Sequence, residues 1–333
     1  MPDFTTHILF GEKLLSLMPP DAREAAEGAL PAYYWGTQGP DPLFYAVGSK
    51  GNRLLPQLGG LMHRQRIGLL FEEMALAAGE ESGPEGIFLR AYLLGFLAHY
   101  ALDRRVHPYV YCLSQRRRKA LPENTWDSIH IRVECHIDDL LYPRMKKGQP
   151  VQNFRPGAFC PLDDQSLQWL AKLYQRVLEN VYGQSVSRED LTAAFRSCLR
   201  YTKAFYGPFR GITAWLARFA DRKARCPGLY SGHVKGLLGG DDNDVLNLHN
   251  RPWRNLAQDG PLCTDSVPQL MDQAAGEWLD LLPGLLAPAP GAIASLEGFA
   301  LSFDNGNPEP PDDSSWMEQT EETGGKEPAP SLP

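Results

Sequence analysis

The stretch 84–103, running on into FLAHYALDRRVHPYV (96–110), limits the fold more than any other segment. It is apolar on almost every side of a helix, yet carries His99, Asp103 and His107, each four residues after the last. A helix with no polar face is driven to the middle of a domain. Polar side chains lined up on it must then be satisfied inside the core, since an unpartnered buried polar group costs roughly 2–7 kcal/mol. Residues four apart share one helical face, with Cβ atoms about 5–6 Å apart, so His99 and Asp103 can converge on a single ion. Pro108 disfavours helical geometry in the residue before it, so the helix is expected to end or bend at His107, aiming that ring at a second, adjacent ion.

The same spacing recurs in SIHIRVECHIDDLLYP, where His130 and Glu134 are four apart and Asp138 lies a further turn along. One His-x-x-x-carboxylate pair is common by chance; two on separate helices point to metal, because imidazole nitrogen and carboxylate oxygen are the usual non-thiolate zinc donors. His136 is offset by two residues from that line and points elsewhere. His7, Asp41 in a GPDP turn and His63 are isolated additions, each of which alone reads as a cap, turn or surface residue. His233 and His249 stand in loop-like sequence without partner spacing. The six cysteines form no CxxC pair, which suits reduced thiols better than a disulfide framework or a thiolate zinc site.

Elsewhere apolar residues recur at three and four, and strict alternation is missing. Helices are expected at about 4–18, 55–79, 84–103, 122–142, 162–181, 188–204, 208–224 and 264–285, which makes the fold class all-α, a multi-helix bundle with 84–103 at its centre. The glycines and prolines of PAYYWGTQGPDPLFYAVGSKGNRLLPQLGG (31–60) predict an ordered loop, and PGLLAPAPG (283–291) a turn. Residues 1–302 read as a single helical domain and 303–333 as a disordered, acidic, Pro-rich tail. There is no internal repeat, and Trp316 stands alone in the tail.

The net charge is −7, and residues 304–333 hold eight acidic residues against Lys326 alone, so the body is balanced. A stable nucleic-acid complex is therefore not expected, and the run Arg116–Lys119 reads as a solvated loop. No apolar run approaches the 18 or so residues of a transmembrane segment. The N-terminus lacks the basic and cleavage-site features of a signal peptide, so a cytoplasmic location is expected.

Taken in order, MPDFTTHILFG, GTQGPDPLFY, LMHRQ, FLAHYALDRRVHPYV and HIRVECHID resemble the zinc-dependent phospholipase C proteins, across about residues 1–145. NLHNRPWRN (247–255) is a weaker echo of a segment found late in intracellular members. The resemblance implies a phospholipase C / P1 nuclease-like helical fold with a cluster of two to three zinc ions between helices. His63, His99 and Asp103 would hold one ion, and His107, His130 and Glu134 a second. His7 would hold the third, bridged by Asp103, with Asp41 as the catalytic general base beside it.

The implied activity is hydrolysis of a phosphate ester by a zinc-activated water, in the manner of a phosphodiesterase acting on a phospholipid headgroup, which a peripheral membrane contact would suit. The secreted relatives ligate their third zinc with an N-terminal tryptophan that this chain lacks; an imino terminus at Pro2, freed by loss of Met1, is a substitute. The step from Asp103 to His107 is shorter than theirs, the step to His130 longer, and no β-sandwich follows. Tyr33, Tyr34, Trp35, Phe44 and Tyr45 flank Asp41 and either pack under the loop or line a headgroup pocket. The alternatives are a non-catalytic metal-containing binding protein, and a nuclease or nucleotide phosphatase on the same fold. An HD-type phosphohydrolase needs an adjacent His-Asp dipeptide, which is missing.

Overall fold

The computed structural model describes residues 4–46, 54–120, 124–161, 163–236, 244–255, 262–286, 293, 297–304 and 306–308. The fold is all-helical. Among the described residues the helices are α1 (Phe4–Leu17), α2 (Pro20–Glu27), α3 (Leu30–Gly36), α4 (Leu54–Met62), α5 (Ile67–Glu80) and α6 (Gly83–Ala120). They continue as α7 (Trp126–Met145), α8 (Pro156–Phe159), α9 (Asp164–Tyr182), α10 (Arg188–Tyr206), α11 (Arg210–Ala224) and α12 (Val267–Leu286). Extended structure within this set amounts to two isolated bridges, Trp253 with Cys263 and Leu301 with Pro308. No helix among the described residues is long and apolar enough to cross a membrane.

The apolar sequence of α6 puts it at the centre, wrapped by α1, α2, α3, α5, α7 and α12. At 38 residues it is about 57 Å long. Trp278 of α12 is fully buried against it and donates its indole N–H to the Leu94 carbonyl at 3.2 Å.

Pro108 does not end this helix, contrary to the sequence expectation: α6 continues through it to Ala120. A proline in a helix interior leaves the carbonyl four residues earlier without its N–H donor, at a cost of about 3 kcal/mol. Here that carbonyl belongs to Arg104, and Gly306 lies directly against it with φ +65°; a Cβ at Gly306 would be 2.6 Å from the Arg104 oxygen. The C-terminal segment thus covers the defect with the one residue that has no side chain to collide.

The expected loop at 31–60 is also largely helical, supplying α3, a 3-10 turn at Asp41–Tyr45 and α4, with residues 47–53 outside the described set. Pro31 and Pro56 sit in first turns, where the missing N–H breaks nothing. Gly36 marks a crossing rather than a break. It packs on Gly95 of α6, and a Cβ on either would run into the other helix's backbone. The expected 55–79 helix is in turn split by Arg66, whose φ is +57°, so His63 stands past the end of α4 instead of at a helix start.

Candidate metal centre

Four elements bring donors to the central helix. On α6, His99, Asp103 and His107 stand one turn apart and buried. On α7, His130 and Glu134 face His107, with Glu134 Oε1 3.4 Å from His107 Nε2 and 2.7 Å from His130 Nε2. On α1, His7 is buried with its ring stacked on His99 at 4.4 Å. Asp41 and His63 reach the same place from the 3-10 turn and the end of α4: Asp41 Oδ1 lies 3.3 Å from His63 Nε2 and 4.0 Å from His99 Nε2.

All eight residues singled out from the sequence therefore come together. They form three groups whose donor atoms lie within 4.8 Å of one another: His63, His99 and Asp103; His107, His130 and Glu134; and His7, Asp41 and His99. The first two are the sets that the resemblance implies. In the third, Asp41 stands among the donors themselves, where the resemblance implies a base beside them. The Pro2 imino terminus lies outside the described residues.

The donors fit a metal in two ways. Ligands bound tetrahedrally at about 2.0–2.1 Å lie about 3.3 Å from one another. His99 Nε2 is 3.1 Å from Asp103 Oδ2 and 3.5 Å from His63 Nε2, and His7 Nε2 is 3.3 Å from Asp103 Oδ1. Yet these close approaches are not hydrogen bonds throughout. Both Asp103 oxygens, both His7 nitrogens, Asp41 Oδ1 and His107 Nε2 are buried with no hydrogen-bond partner among the described residues. Lone pairs converging without a proton between them are what a cation resolves.

The second fit is in how the rings are held. His63 Nδ1 donates to the Gly59 carbonyl at 2.7 Å, a last-turn carbonyl of α4, and His99 Nδ1 donates to that of Thr37 at 3.1 Å. His107 Nδ1 turns to the Phe303 carbonyl at 3.4 Å. With Nδ1 holding the proton, Nε2 is left as the inward lone pair, the arrangement that orients metal-binding histidines. Gly39, at φ +51°, leaves room for the His99 ring, which a Cβ there would strike.

Electrostatics agree. Burial alone would raise the Asp103 carboxyl, but the imidazoles of His99, His107 and His7 outweigh it and hold the group well below the usual carboxylate range. Burial pushes His99 down and His107 and His130 well down, which keeps them neutral. His63 moves the other way: burial opposes its charge, and the Asp41 carboxylate 3.3 Å away overcomes that.

Sequence reasoning missed a strap and a clamp. The strap is Phe303–Asp304, which the expected boundary at 303 assigns to the tail. Phe303 is fully buried, 5.2 Å from the His63 ring and 5.8 Å from that of His99, and its N–H donates to the His63 carbonyl at 2.9 Å. Asp304 Oδ1 lies 3.9 Å from His107 Nδ1, its carboxyl raised by burial. The clamp is Asp138, one turn beyond Glu134. It accepts from the N–H groups of Thr5 and Thr6 at the start of α1, from the hydroxyls of Thr6 and Tyr206, and from buried Lys235 at 2.9 Å. A carboxylate at a helix N-terminus is favourable, and this one ties the helix carrying His7 to the helix carrying Glu134.

The cluster is fully buried at His99 and Asp103, and its partly exposed members form its outer edge. Side-chain exposure is 10% at Glu134, 14% at Asp41, 16% at His130 and 20% at Asp304. Phe44 stacks on His63 on one flank of that edge, and Tyr111 and Trp126 stack beside His130 on the other. Tyr33 and Trp35 are fully buried in the core. No family model, curated protein or solved structure matches this chain.

Proposed function

We propose that the chain is a metal-dependent hydrolase of phosphate esters, with zinc as the ion and a phospholipase C-like phosphodiesterase reaction as its chemistry. The observation that carries this reading is a carboxylate-bridged set of nitrogen and oxygen donors at tetrahedral spacing, buried on one side and open along an edge. Structural zinc sites are closed by four protein ligands, whereas catalytic ones hold the ion with three. The His63, His99, Asp103 group and the His107, His130, Glu134 group offer three each, and the third group shares His99 with the first. Zinc held there supplies Lewis acidity toward a phosphoryl oxygen and lowers the pKa of a coordinated water.

The chain's own residues do the rest. Asp103 presents one oxygen to His7 and the other to His63 and His99, which keeps two groups in fixed relation. Asp41, partly exposed at the edge, accepts a proton from the attacking water and orients it. Phe44, Tyr111 and Trp126 border the opening and offer aromatic faces to a headgroup, a surface that attracts quaternary ammonium. The motif resemblance adds the phospholipid headgroup ester as substrate.

One distance set favours a second reading. Asp41 Oδ1 is near enough to His63 and His99 to complete a four-donor set with Asp103, which would close the site and make a non-catalytic metal-containing protein. Asp41→Asn separates the two. As a base, its loss lowers turnover of a chromogenic phosphodiester by about 10²–10⁴-fold while metal content holds. A wild-type protein that binds zinc without turnover, and an Asp41→Asn protein that loses metal, would establish the closed centre instead. Single-stranded DNA against short-chain phosphatidylcholine as substrate separates the nuclease alternative.

A further inference from the structure

The amphipathic helix α11 is turned the wrong way for a helix that serves only to cover a core. Its buried residues are Ala214, Ala217 and Asp221. Its bulky apolar residues, Ile212, Trp215, Leu216 and Phe219, point to solvent together with Phe209 just before it; Phe209 is 73% and Trp215 62% exposed. At 100° per residue these five make a row about 120° wide, opposite the small residues that pack on the body. A lone exposed apolar side chain is ordinary; a contiguous row of five marks an interaction surface.

The charge around this row has one sign. Residues 209–225 hold Arg210, Arg218, Arg222, Lys223 and Arg225 against Asp221, a balance of +4 within a chain of net −7. Asp221 is turned inward, accepting from the N–H groups of Gly228 and Tyr230 and from the Ser231 hydroxyl, so its charge is withdrawn from the surface. Lys223 lies over the Phe219 ring at 5.6 Å. Trp and Phe on one side of a helix with Lys and Arg beside them is the composition of helices that lie in a lipid–water interface.

We propose that α11 is a docking helix for an anionic phospholipid surface. The row is a convex ridge on a surface helix, which suits a deformable lipid interface rather than a shaped protein pocket. A second copy would bring two +4 segments face to face. The helix is tied to the rest of the protein at its far end: Cys226 Sγ pairs with Thr125 Oγ1, the cap of α7, at 2.9 Å, and Gly228 and Gly232 pack on Arg132. Lipid contact through α11 therefore lies beside the end of α7 that carries His130. The inference does not rest on the hydrolase reading, because binding is read without turnover.

The test is flotation of the full chain with phosphatidylcholine vesicles containing or lacking phosphatidylglycerol, alongside tryptophan emission. Association with the anionic vesicles, weakened by salt, is expected. Trp215→Ala with Phe219→Ala should weaken it on the order of a hundredfold. Arg218→Gln and Arg222→Gln should each weaken it about fivefold, and serve even if the first pair harms folding. Absence of association, equal binding to neutral vesicles, or full retention in both variants overturns the proposal. So does self-association that is abolished by the apolar pair in a protein that ignores vesicles, which would assign the row to a second copy.

Discussion

Removing metal from the folded protein should lower its melting temperature by an amount the donor set allows to be worked out. Six buried atoms, namely His7 Nδ1 and Nε2, Asp41 Oδ1, Asp103 Oδ1 and Oδ2, and His107 Nε2, lack hydrogen-bond partners among the described residues. An unsatisfied buried group costs about 1–3 kcal/mol; His7 offers an ion only one of its two nitrogens, so the five atoms able to act as ligands represent on the order of 5–15 kcal/mol that bound ions can offset. From the other side, an ion present at a thousand times its Kd stabilises by about 4 kcal/mol, or about 8 kcal/mol for two. Those ranges overlap. For 333 residues the unfolding entropy is about 0.7 kcal/mol/K, so loss of two ions should lower the midpoint by about 12 °C. The assay is scanning calorimetry on protein as purified, after chelator dialysis and after zinc is returned, with metal content measured on each sample. A chelated, metal-free protein melting where the untreated one does, and indifferent to added zinc, would refute the idea that these atoms converge on ions.

Asp103→Asn replaces one oxygen of the carboxylate by an amide and should cost metal in the His63, His99, Asp103 group and weaken the His7 group that its other oxygen faces, beyond the roughly 10–100-fold affinity loss typical of a lost outer hydrogen-bond partner. Glu134→Gln should empty only the His107 and His130 set; metal stoichiometry tells them apart. Gly306→Ala forces a side chain into left-handed backbone, at about 1–2 kcal/mol, and a Cβ to 2.6 Å from the Arg104 oxygen. It should destabilise by about 2–3 kcal/mol and speed hydrogen exchange at the Phe303 amide. Acid should destabilise the metal-free protein. His99, His107 and His130 have folded values held below 6.5, so their stabilising effect is complete above the unfolded value and is lost as pH falls below about 6.5. His63, shifted upward, contributes with the opposite sign. Asp304, raised by burial, acts in the same sense as His63, and a melting temperature that rises on acidification from pH 7 to pH 5 would contradict the balance of three groups against two.

The central helix and its donors were legible because both signals are local. The apolar run of α6 and the i, i+4 spacings of His99 with Asp103 and of His130 with Glu134 are read within a few turns of chain. His7, Asp41 and His63 were legible only through the resemblance of the motifs around them, since nothing near any of the three in sequence shares its ion. Phe303 and Asp304 were not legible at all: they arrive from 196 or more residues beyond His107, in sequence whose composition is that of a tail. Gly36 misled in an instructive way. A glycine that lets two helices touch and a glycine that ends one look alike until the partner helix is known. Pro108 misled likewise: the helix runs through it, with Gly306 packed against the Arg104 carbonyl left without its helical donor, a contact no local rule connects to it.

Because His99, Asp103 and His107 share one unbroken rod, the spacing of these donors is set by helical pitch, about 6 Å per four residues, and not by any loop. A helix is a stiff ruler. Insertions in the connections around it leave that gauge untouched, whereas one residue added between His99 and His107 would swing the second pair of donors by about 100°. Chains built this way are free to change length almost everywhere except along the nine positions from His99 to His107 and the five from His130 to Glu134.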